Sequence, residues 1–398
     1  MEIGVVGKPN VGKSTTFNAL TLLDVPMAPY PFTTTTPNRG VAAVRVRCPH
    51  SEKGAPCDPG NAKCVDGTRW VPVNLVDVPG LVPGAHEGKG LGHKFLDDLR
   101  AASGFLHVVD ASGGTTPEGE IVAPGTVDPS EEVLWLEREL VAWIGEILTR
   151  DFQRNVRSVE LEGAKVEEFL QTRLTGLSIG PAEVSAALRA VPVDRARPSV
   201  WTPVERERLA EALLRASKPR LVGANKCDRS SRPAIERLSE GSAPFPVVAM
   251  CAEAELTLRR AARGNLIRYR PGDPSFETAA GAQLSDRQER ALGEIRQILA
   301  HWGSTGVQAA LERLVFGELH RIAVFPVEDE SRWVDSKDRR LPDVHLVPAG
   351  TTAHAMAFRV HTDLGTNFIR AIDGRTHRAL AADHPLTDGA VIRIVARK

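Results

Sequence analysis

The segment Gly7-Lys8-Pro9-Asn10-Val11-Gly12-Lys13-Ser14 follows the apolar run Ile3 to Val6 and precedes a helix-like stretch. A glycine-rich turn between a buried strand and a helix N-terminus is the setting of a phosphate-binding loop, and it narrows the fold more than any other feature of the chain. Along Lys8, Pro9, Asn10, Val11, Gly12, Lys13, Ser14 and Thr15, backbone N–H groups are expected to face phosphates. The Lys13 ammonium is placed to reach the β and γ groups, and the Ser14 hydroxyl to ligate Mg²⁺. The pattern commits the chain to a nucleotide.

Two further segments bear on which nucleotide. Val73-Asn74-Leu75-Val76-Asp77-Val78-Pro79-Gly80 reads as a strand ending in D-x-x-G. Asp77 can hold Mg²⁺ through water there, while the Gly80 N–H faces the γ-phosphate. Asn225-Lys226-Cys227-Asp228 ends the apolar run Arg220 to Ala224 with the pattern N-K-x-D. An ionised carboxylate only accepts hydrogen bonds, so Asp228 suits the N1–H and N2 donors of guanine and offers nothing to adenine N1. Guanine is the expected base, with Lys13, Gly80 and a switch threonine as the catalytic set.

At 398 residues, with 42% hydrophobic and 25% charged residues, the chain has the composition of a globular protein of two or three domains. A formal net charge of +0 provides no global field toward nucleic acid or membrane, so any such contact must use a local patch. No apolar run approaches the roughly 20 residues of a membrane span, and an apolar strand beginning at residue 2 leaves no room for a signal peptide. The expected compartment is the cytoplasm, where five dispersed cysteines are reduced thiols.

Apolar strands recur at Ile3 to Val6, Val41 to Val46, Val71 to Val76, Phe105 to Val109, Leu221 to Ala224 and Val247 to Met250, several of them separated by helical stretches. This alternation indicates a doubly wound, mostly parallel α/β sheet with its nucleotide loops at the strand C-terminal ends. Between the fourth and fifth strands lies an excursion too long for a structureless loop. Asp128-Pro129-Ser130-Glu131 starts a helix carrying Leu136, Leu140, Trp143, Ile144 and Ile147, and Thr202-Pro203-Val204-Glu205 caps another before Leu209, Leu213 and Leu214. An antiparallel helical insert packing on itself is the economical reading, with its apolar stripe open to a second role as a partner surface. The expected division is 1–128 for the first part of the nucleotide domain, 129–218 for the insert, 219–320 for the second part with following helices, and 321–398 for a small α+β domain.

Tyr30-Pro31-Phe32-Thr33-Thr34, Pro37-Asn38-Arg39-Gly40 and the glycine-rich run from Asp77 to Gly92 resemble the Obg family of P-loop GTPases. Ala252-Glu253-Ala254-Glu255-Leu256, Tyr269-Arg270-Pro271-Gly272-Asp273, Gly303-Ser304-Thr305-Gly306 and Leu341-Pro342-Asp343-Val344 resemble its YchF subfamily, particularly archaeal-type members. The resemblance covers essentially the whole chain. It implies a P-loop GTPase domain, a helical or coiled-coil insert and a C-terminal TGS domain of β-grasp shape. It also implies that Thr34 closes on Mg²⁺ as the switch residue, with Thr33, Thr35 and Thr36 as neighbours of the same type, and that Cys251-Ala252 lies at the base, the Ala252 N–H contacting guanine O6. Some YchF relatives replace the N-K-x-D aspartate and prefer ATP, whereas this chain keeps Asp228, so GTP and its product GDP are the expected ligands.

The residue after D-x-x-G is Leu81, which cannot orient a water as glutamine does in Ras-like enzymes. Hydrolysis is expected to be slow, or to draw on another group or a partner. Asn10 has the residue type that potassium-dependent GTPases use to hold K⁺, and equally the type that stabilises a loop. His86 is a second candidate for organising water, or an exposed loop residue. Cys48, His50, Cys57 and Cys64 lie in a Pro/Gly/Asp-rich excursion and offer a tetrahedral Zn²⁺ set, redox-sensitive thiols or incidental cysteines. Residues 358–398 carry seven Lys/Arg against four Asp, including Arg370, Arg375, Arg378 and Arg393. They form either a solvated face or a contact for RNA phosphates. The TGS resemblance implies association with ribosomes or rRNA, to which the insert can contribute. Three functional classes follow: a ribosome-linked GTP hydrolase, an ATP hydrolase, and a nucleotide-gated binding module whose hydrolysis is incidental.

Overall fold

A computed structural model describes residues 1–22, 37–80 and 98–397. Thr34 and its threonine neighbours, Leu81 and His86 lie outside the described residues. The chain forms two compact units, Met1–Val41 with Asn74–Leu314, and Ala42–Val73 with Val315–Lys398.

In the first unit the strands β1 (Glu2–Val6), β5 (Gly104–Asp110), β6 (Arg220–Asn225) and β7 (Val247–Ala249) pair in parallel, with β4 (Thr68–Asp77) parallel to β1. Within this unit the sheet order is β4-β1-β5-β6-β7, while β2 (Asn38–Arg47) and β3 (Lys63–Val65), the other neighbours of β4, lie mostly or wholly in residues 42–73 of the second unit. Strands β5 and β6 are buried along their whole length. Their near-continuous apolar sequences are those of strands covered on both faces. The helix α1 (Lys13–Thr21) leaves the loop after β1, and the left-handed Leu22 ends it, its N–H donating to Asn18 O.

The insert comprises α2 (Pro129–Thr149), α3 (Phe152–Glu162), α4 (Val166–Leu174), α5 (Pro181–Ala190) and α6 (Pro203–Ser217). Asp128 caps α2 by accepting from Ser130 N, and Thr202 with Glu205 forms a capping box on α6. Its core is larger than the sequence suggested. Leu136, Leu140, Trp143, Leu209 and Leu213 pack in one cluster with Val6, Val76, Leu99 and Phe105 of the sheet region. The apolar stripe therefore serves the sheet as well as the insert's own helices. Among the described residues the unit also holds α7 (Arg232–Gly241), α8 (Ala252–Arg263), the two-stranded sheet of β8 (Ile267–Arg268) and β9 (Glu277–Thr278), α9 (Asp286–Trp302) and α10 (Val307–Glu312), the last two helices separated by the left-handed Gly303 and Gly306.

The second unit holds a five-stranded sheet of order β11-β10-β14-β12-β13, made of β10 (Arg321–Val327), β11 (His345–Pro348), β12 (Phe368–Asp373), β13 (Ala379–Leu380) and β14 (Ala390–Ala396). Only β10 and β14 run parallel; the other pairs are antiparallel. Met356 and Ala353 of α11 (Ala353–Val360) pack with Val324, Val347, Ala371 and Ile392 of this sheet. Residues 42–73 belong to this unit although some 240 positions of sequence separate them from it, a grouping absent from the linear reading. Among the described residues no helix is long and apolar enough to cross a membrane.

Candidate functional site

The C-terminal ends of β1, β4, β5 and β6 gather the residues singled out in the sequence. Gly12 takes φ 102°, a backbone state L-residues avoid, and a Cβ there would lie 2.2 Å from Asn225 Nδ2. Asn225 is the hub of this corner. Its Nδ2 donates to Val11 O at 2.8 Å, and its Oδ1 accepts from Ala252 N at 2.9 Å, so one side chain joins the phosphate loop to the start of α8. The Ala252 N–H, which the resemblance directed at guanine O6, is engaged by Asn225 here.

Lys13 is buried and donates from Nζ to Lys8 O at 2.8 Å, which curls the loop around its own side chain. Burial holds its ammonium below the usual lysine range, with Asp77 and Glu132 acting in the opposite direction. Ser14 Oγ donates to Asp77 Oδ2 at 2.9 Å. Burial raises the Asp77 carboxyl above the usual carboxylate range against the pull of Lys13, and its Oδ1 is a buried oxygen with no hydrogen bond among the described residues. A serine hydroxyl beside an under-satisfied carboxylate oxygen suits a hard cation with oxygen ligands, so the pair fits Mg²⁺. Gly80 lies against the loop: a Cβ on it would meet Pro9 Cγ at 2.8 Å and Pro9 N at 2.9 Å.

At the N-K-x-D segment, Lys226 Nζ donates to Asp110 Oδ2 at 2.8 Å, and Asp110 also accepts from Thr115 Oγ1 at 2.5 Å. Asp110 is held below the usual range by these partners despite its desolvation. Asp228 lies beside Cys251, whose Sγ donates to Oδ1 at 3.2 Å, and Arg229 Nε is 3.7 Å from its Oδ2. Burial raises both neighbouring thiols, Cys227 to about 12 and Cys251 further, so they sit as neutral packing groups.

Asn10 donates from Nδ2 to Gly119 O at 2.7 Å and thereby anchors the loop that follows β5. The cysteine group lies in the other unit. One ligand atom from each of Cys48, His50, Cys57 and Cys64 falls within 4.8 Å of the rest. Of the C-terminal arginines, Arg375 pairs with Glu52 at 2.7 Å and Arg393 with Glu330 at 2.8 Å, while Arg370 and Arg378 are exposed.

Sequence reasoning missed the support behind the loop. Lys8 is buried with its Nζ 3.3 Å from Glu132 Oε2 and donating to Thr115 O at 2.7 Å; Lys8 N also donates to Glu132 Oε1 at 3.0 Å. His107 Nε2 lies 3.7 Å from Glu132 Oε1, and burial holds this imidazole at about 4. The readable signal was a histidine inside the otherwise apolar strand Phe105 to Val109. Three YchF-like motifs meet in a second missed network. Glu255 Oε2 accepts from Tyr269 OH at 2.7 Å and Thr305 Oγ1 at 2.5 Å, and Thr305 O accepts from Cys251 N at 2.8 Å. That network supports the turn carrying Cys251 and Ala252.

Comparison with known proteins agrees with this geometry. Residues 2–135 match the family described as 50S ribosome-binding GTPase, residues 223–329 the Obg-like GTPase YGR210-like, G4 motif-containing domain, and residues 335–396 the TGS domain. A GTP-binding protein of Methanocaldococcus jannaschii is 42% identical over 99% of this chain and 98% of its own length. The chain belongs to the YchF-related Obg-like GTPase family. A further member, a GTP-binding protein of Schizosaccharomyces pombe, is 34% identical over 88% of each chain. The crystal structure of a GTP-binding protein from Pyrococcus horikoshii superposes with a TM-score of 0.82 at 35% identity over the full length of both chains. The fold is that of this family: a P-loop GTPase sheet, helical segments and a C-terminal TGS domain.

Proposed function

We propose that this protein hydrolyses GTP to GDP and phosphate as a nucleotide-dependent switch in the cytoplasm, acting on ribosomes through its TGS domain and helical insert. The observation that carries the reading is Asn225, which ties the phosphate loop to the Cys251-Ala252 turn while Asp228, three residues on, presents a carboxylate beside that turn. Phosphate grip and base recognition thus share one rigid corner. The family description of residues 2–135 as a ribosome-binding GTPase supports the choice of partner.

Asp228, exposed beside the Cys251-Ala252 turn, accepts from the N1–H and N2 groups of guanine, whereas adenine offers its carboxylate no donor at N1. Lys13 withdraws from Lys8 O to the β and γ phosphates, and the Gly80 N–H donates to the γ-phosphate. Ser14, Asp77 and Thr34 would hold Mg²⁺, which when bound neutralises charge developing on the phosphates. Leu81 orients no water, so basal turnover is slow and the ribosome accelerates it. K⁺, held with Asn10, is the proposed monovalent activator; equal single-turnover rates in Na⁺ and K⁺ buffers remove it.

Competition between GTP and ATP for the wild-type protein, followed by single-turnover hydrolysis with and without ribosomal 50S subunits, tests the reading. GTP is expected to win by at least about 100-fold, with Asp228→Ala abolishing the preference, and ribosomes are expected to raise the rate. Preference for ATP overturns the specificity. A rate indifferent to ribosomes leaves a nucleotide-gated binder rather than a ribosome-stimulated enzyme.

A further inference from the structure

The excursion between β2 and β4 has little apolar material of its own. Residues 51–61 are mostly exposed, and the ordered part rests on backbone links such as Asp58 N to Arg340 O at 2.9 Å and Gly60 N to Pro342 O at 2.7 Å. Asp66 and Gly67, with φ 48° and 76°, make the tight turn of the β3-β4 hairpin. That turn sets Cys64 opposite Arg69, and Cys48 N donates to Gly67 O at 2.8 Å, which brings Cys48 to the same place. His50, on the short turn of helix after Cys48, and Cys57 complete a group whose four ligand atoms lie within 4.8 Å of one another.

The separations have a specific value. A tetrahedral ion with Zn–S of about 2.3 Å and Zn–N of about 2.05 Å has S···S edges of about 3.8 Å and S···N edges of about 3.6 Å. Cys48 Sγ is 3.8 Å from Cys57 Sγ, and Cys64 Sγ is 3.6 Å from His50 Nδ1.

An independent observation lies behind the group. Arg69 is wholly buried, and its hydrogen bonds go to Cys48 Sγ at 3.4 Å and to the backbone oxygens of Leu341 at 2.8 Å, Pro342 at 3.4 Å and Ala62 at 3.5 Å. Among the described residues no carboxylate pairs with it, and its Nε makes no hydrogen bond. An arginine cannot shed its proton, and an uncompensated buried cation costs several kcal/mol. Three thiolates and one neutral imidazole around Zn²⁺ carry one net negative charge, placed against this guanidinium and hydrogen-bonded to it through Cys48.

We propose that Cys48, His50, Cys57 and Cys64 form a structural Zn²⁺ site of the Cys₃His type, with Arg69 as its buried counter-ion. All four positions are filled by protein, so the ion has no catalytic opening. Its work is to close the excursion and hold Asp58, Gly60 and Asn61 in the register that pairs with residues 340–344. Binding displaces three thiol protons into solvent, without any change of oxidation state.

The full-length chain, purified reduced and without chelator and analysed by inductively coupled plasma mass spectrometry, is expected to hold one zinc per molecule, and Cys64→Ser less than a tenth of that. Because Cys64→Ser can unfold the unit, chelator-stripped wild type is also titrated with Co²⁺. The expected result is a thiolate-to-cobalt charge-transfer band with the intense visible bands of a tetrahedral centre, saturating at one equivalent. Wild type that retains under a tenth of an equivalent after incubation with Zn²⁺, or that shows only the weak bands of octahedral Co²⁺, overturns the proposal.

Discussion

Two buried cations show how differently the two units of this chain handle charge. Lys8, 4% exposed, has Glu132, 6% exposed, within 3.3 Å, so the phosphate loop carries its own counter-ion on the first turn of α2. Arg69, 0% exposed, has carbonyl oxygens, the Cys48 sulfur and the face of Phe325 beside it, and no carboxylate among the described residues. The nucleotide unit sets a carboxylate against the buried lysine of its loop, whereas Arg69 of the TGS-containing unit has none beside it among the described residues. The lesson is that a buried arginine without a carboxylate is informative, because unlike the buried Lys218, which desolvation lowers to about 8, it cannot shed its proton. It points to where a negatively charged complex belongs.

The sharpest way to break the contrast is to remove the carboxylate. Glu132→Gln leaves the Lys8 charge uncompensated, and unfolding in urea is expected to show a loss of about 3–5 kcal/mol, together with weaker nucleotide binding because Lys8 O and its amide belong to the loop. A loss under about 1 kcal/mol would mean that Thr115 O suffices for Lys8.

Acid provides the next test. In the folded chain His107 stays neutral down to about 4, whereas in the unfolded chain it takes a proton near its ordinary value of 6.5. Between those values the unfolded state binds more protons, so stability is full above 6.5 and falls as pH drops toward 4. Glu132, also held low, adds to the loss below about 4.5. The His107 contribution amounts to about 3 kcal/mol, measured as melting temperature against pH, and His107→Phe is expected to flatten the profile between those limits.

In the other unit, Arg69→Leu is expected to weaken Zn²⁺ about 10- to 100-fold in a chelator competition while making the metal-free protein no less stable. An unchanged zinc affinity would detach Arg69 from the metal. The smallest effect is expected where a buried carboxylate is served by neutral hydroxyls. Tyr269→Phe removes one hydroxyl donor from Glu255 and is expected to cost about 1 kcal/mol and to loosen guanine binding a few-fold, read by nucleotide titration.

Much of the nucleotide site was legible because its residues are consecutive. Gly7 to Thr15, Asp77 to Gly80 and Asn225 to Asp228 each lie at a strand end, where loop geometry follows from the local pattern. Helix starts at Asp128 and Thr202 were legible for the same reason, since a cap reads its own next three residues. The supports were not. Glu132 and Lys8 are 124 positions apart, and Asn225 and Val11 are 214 apart. Nothing in a short window announces that such pairs meet. The insert's shared core was equally hidden, because a helical stripe records that one face is apolar and not what covers it.

What the sequence determined by itself was therefore chemical type: a phosphate loop, a carboxylate suited to guanine, four soft ligands in one excursion. The tertiary structure decided the partnerships. It ran Asn225 between the phosphate loop and α8, put Glu132 behind Lys8, and folded residues 42–73 onto the TGS unit so that Cys48, His50, Cys57 and Cys64 face one point beside Arg69. The physical reason is range. Backbone turns and caps are settled by neighbours within a few residues, while the compensation of a buried charge depends on whichever chain segment the packed core brings alongside it.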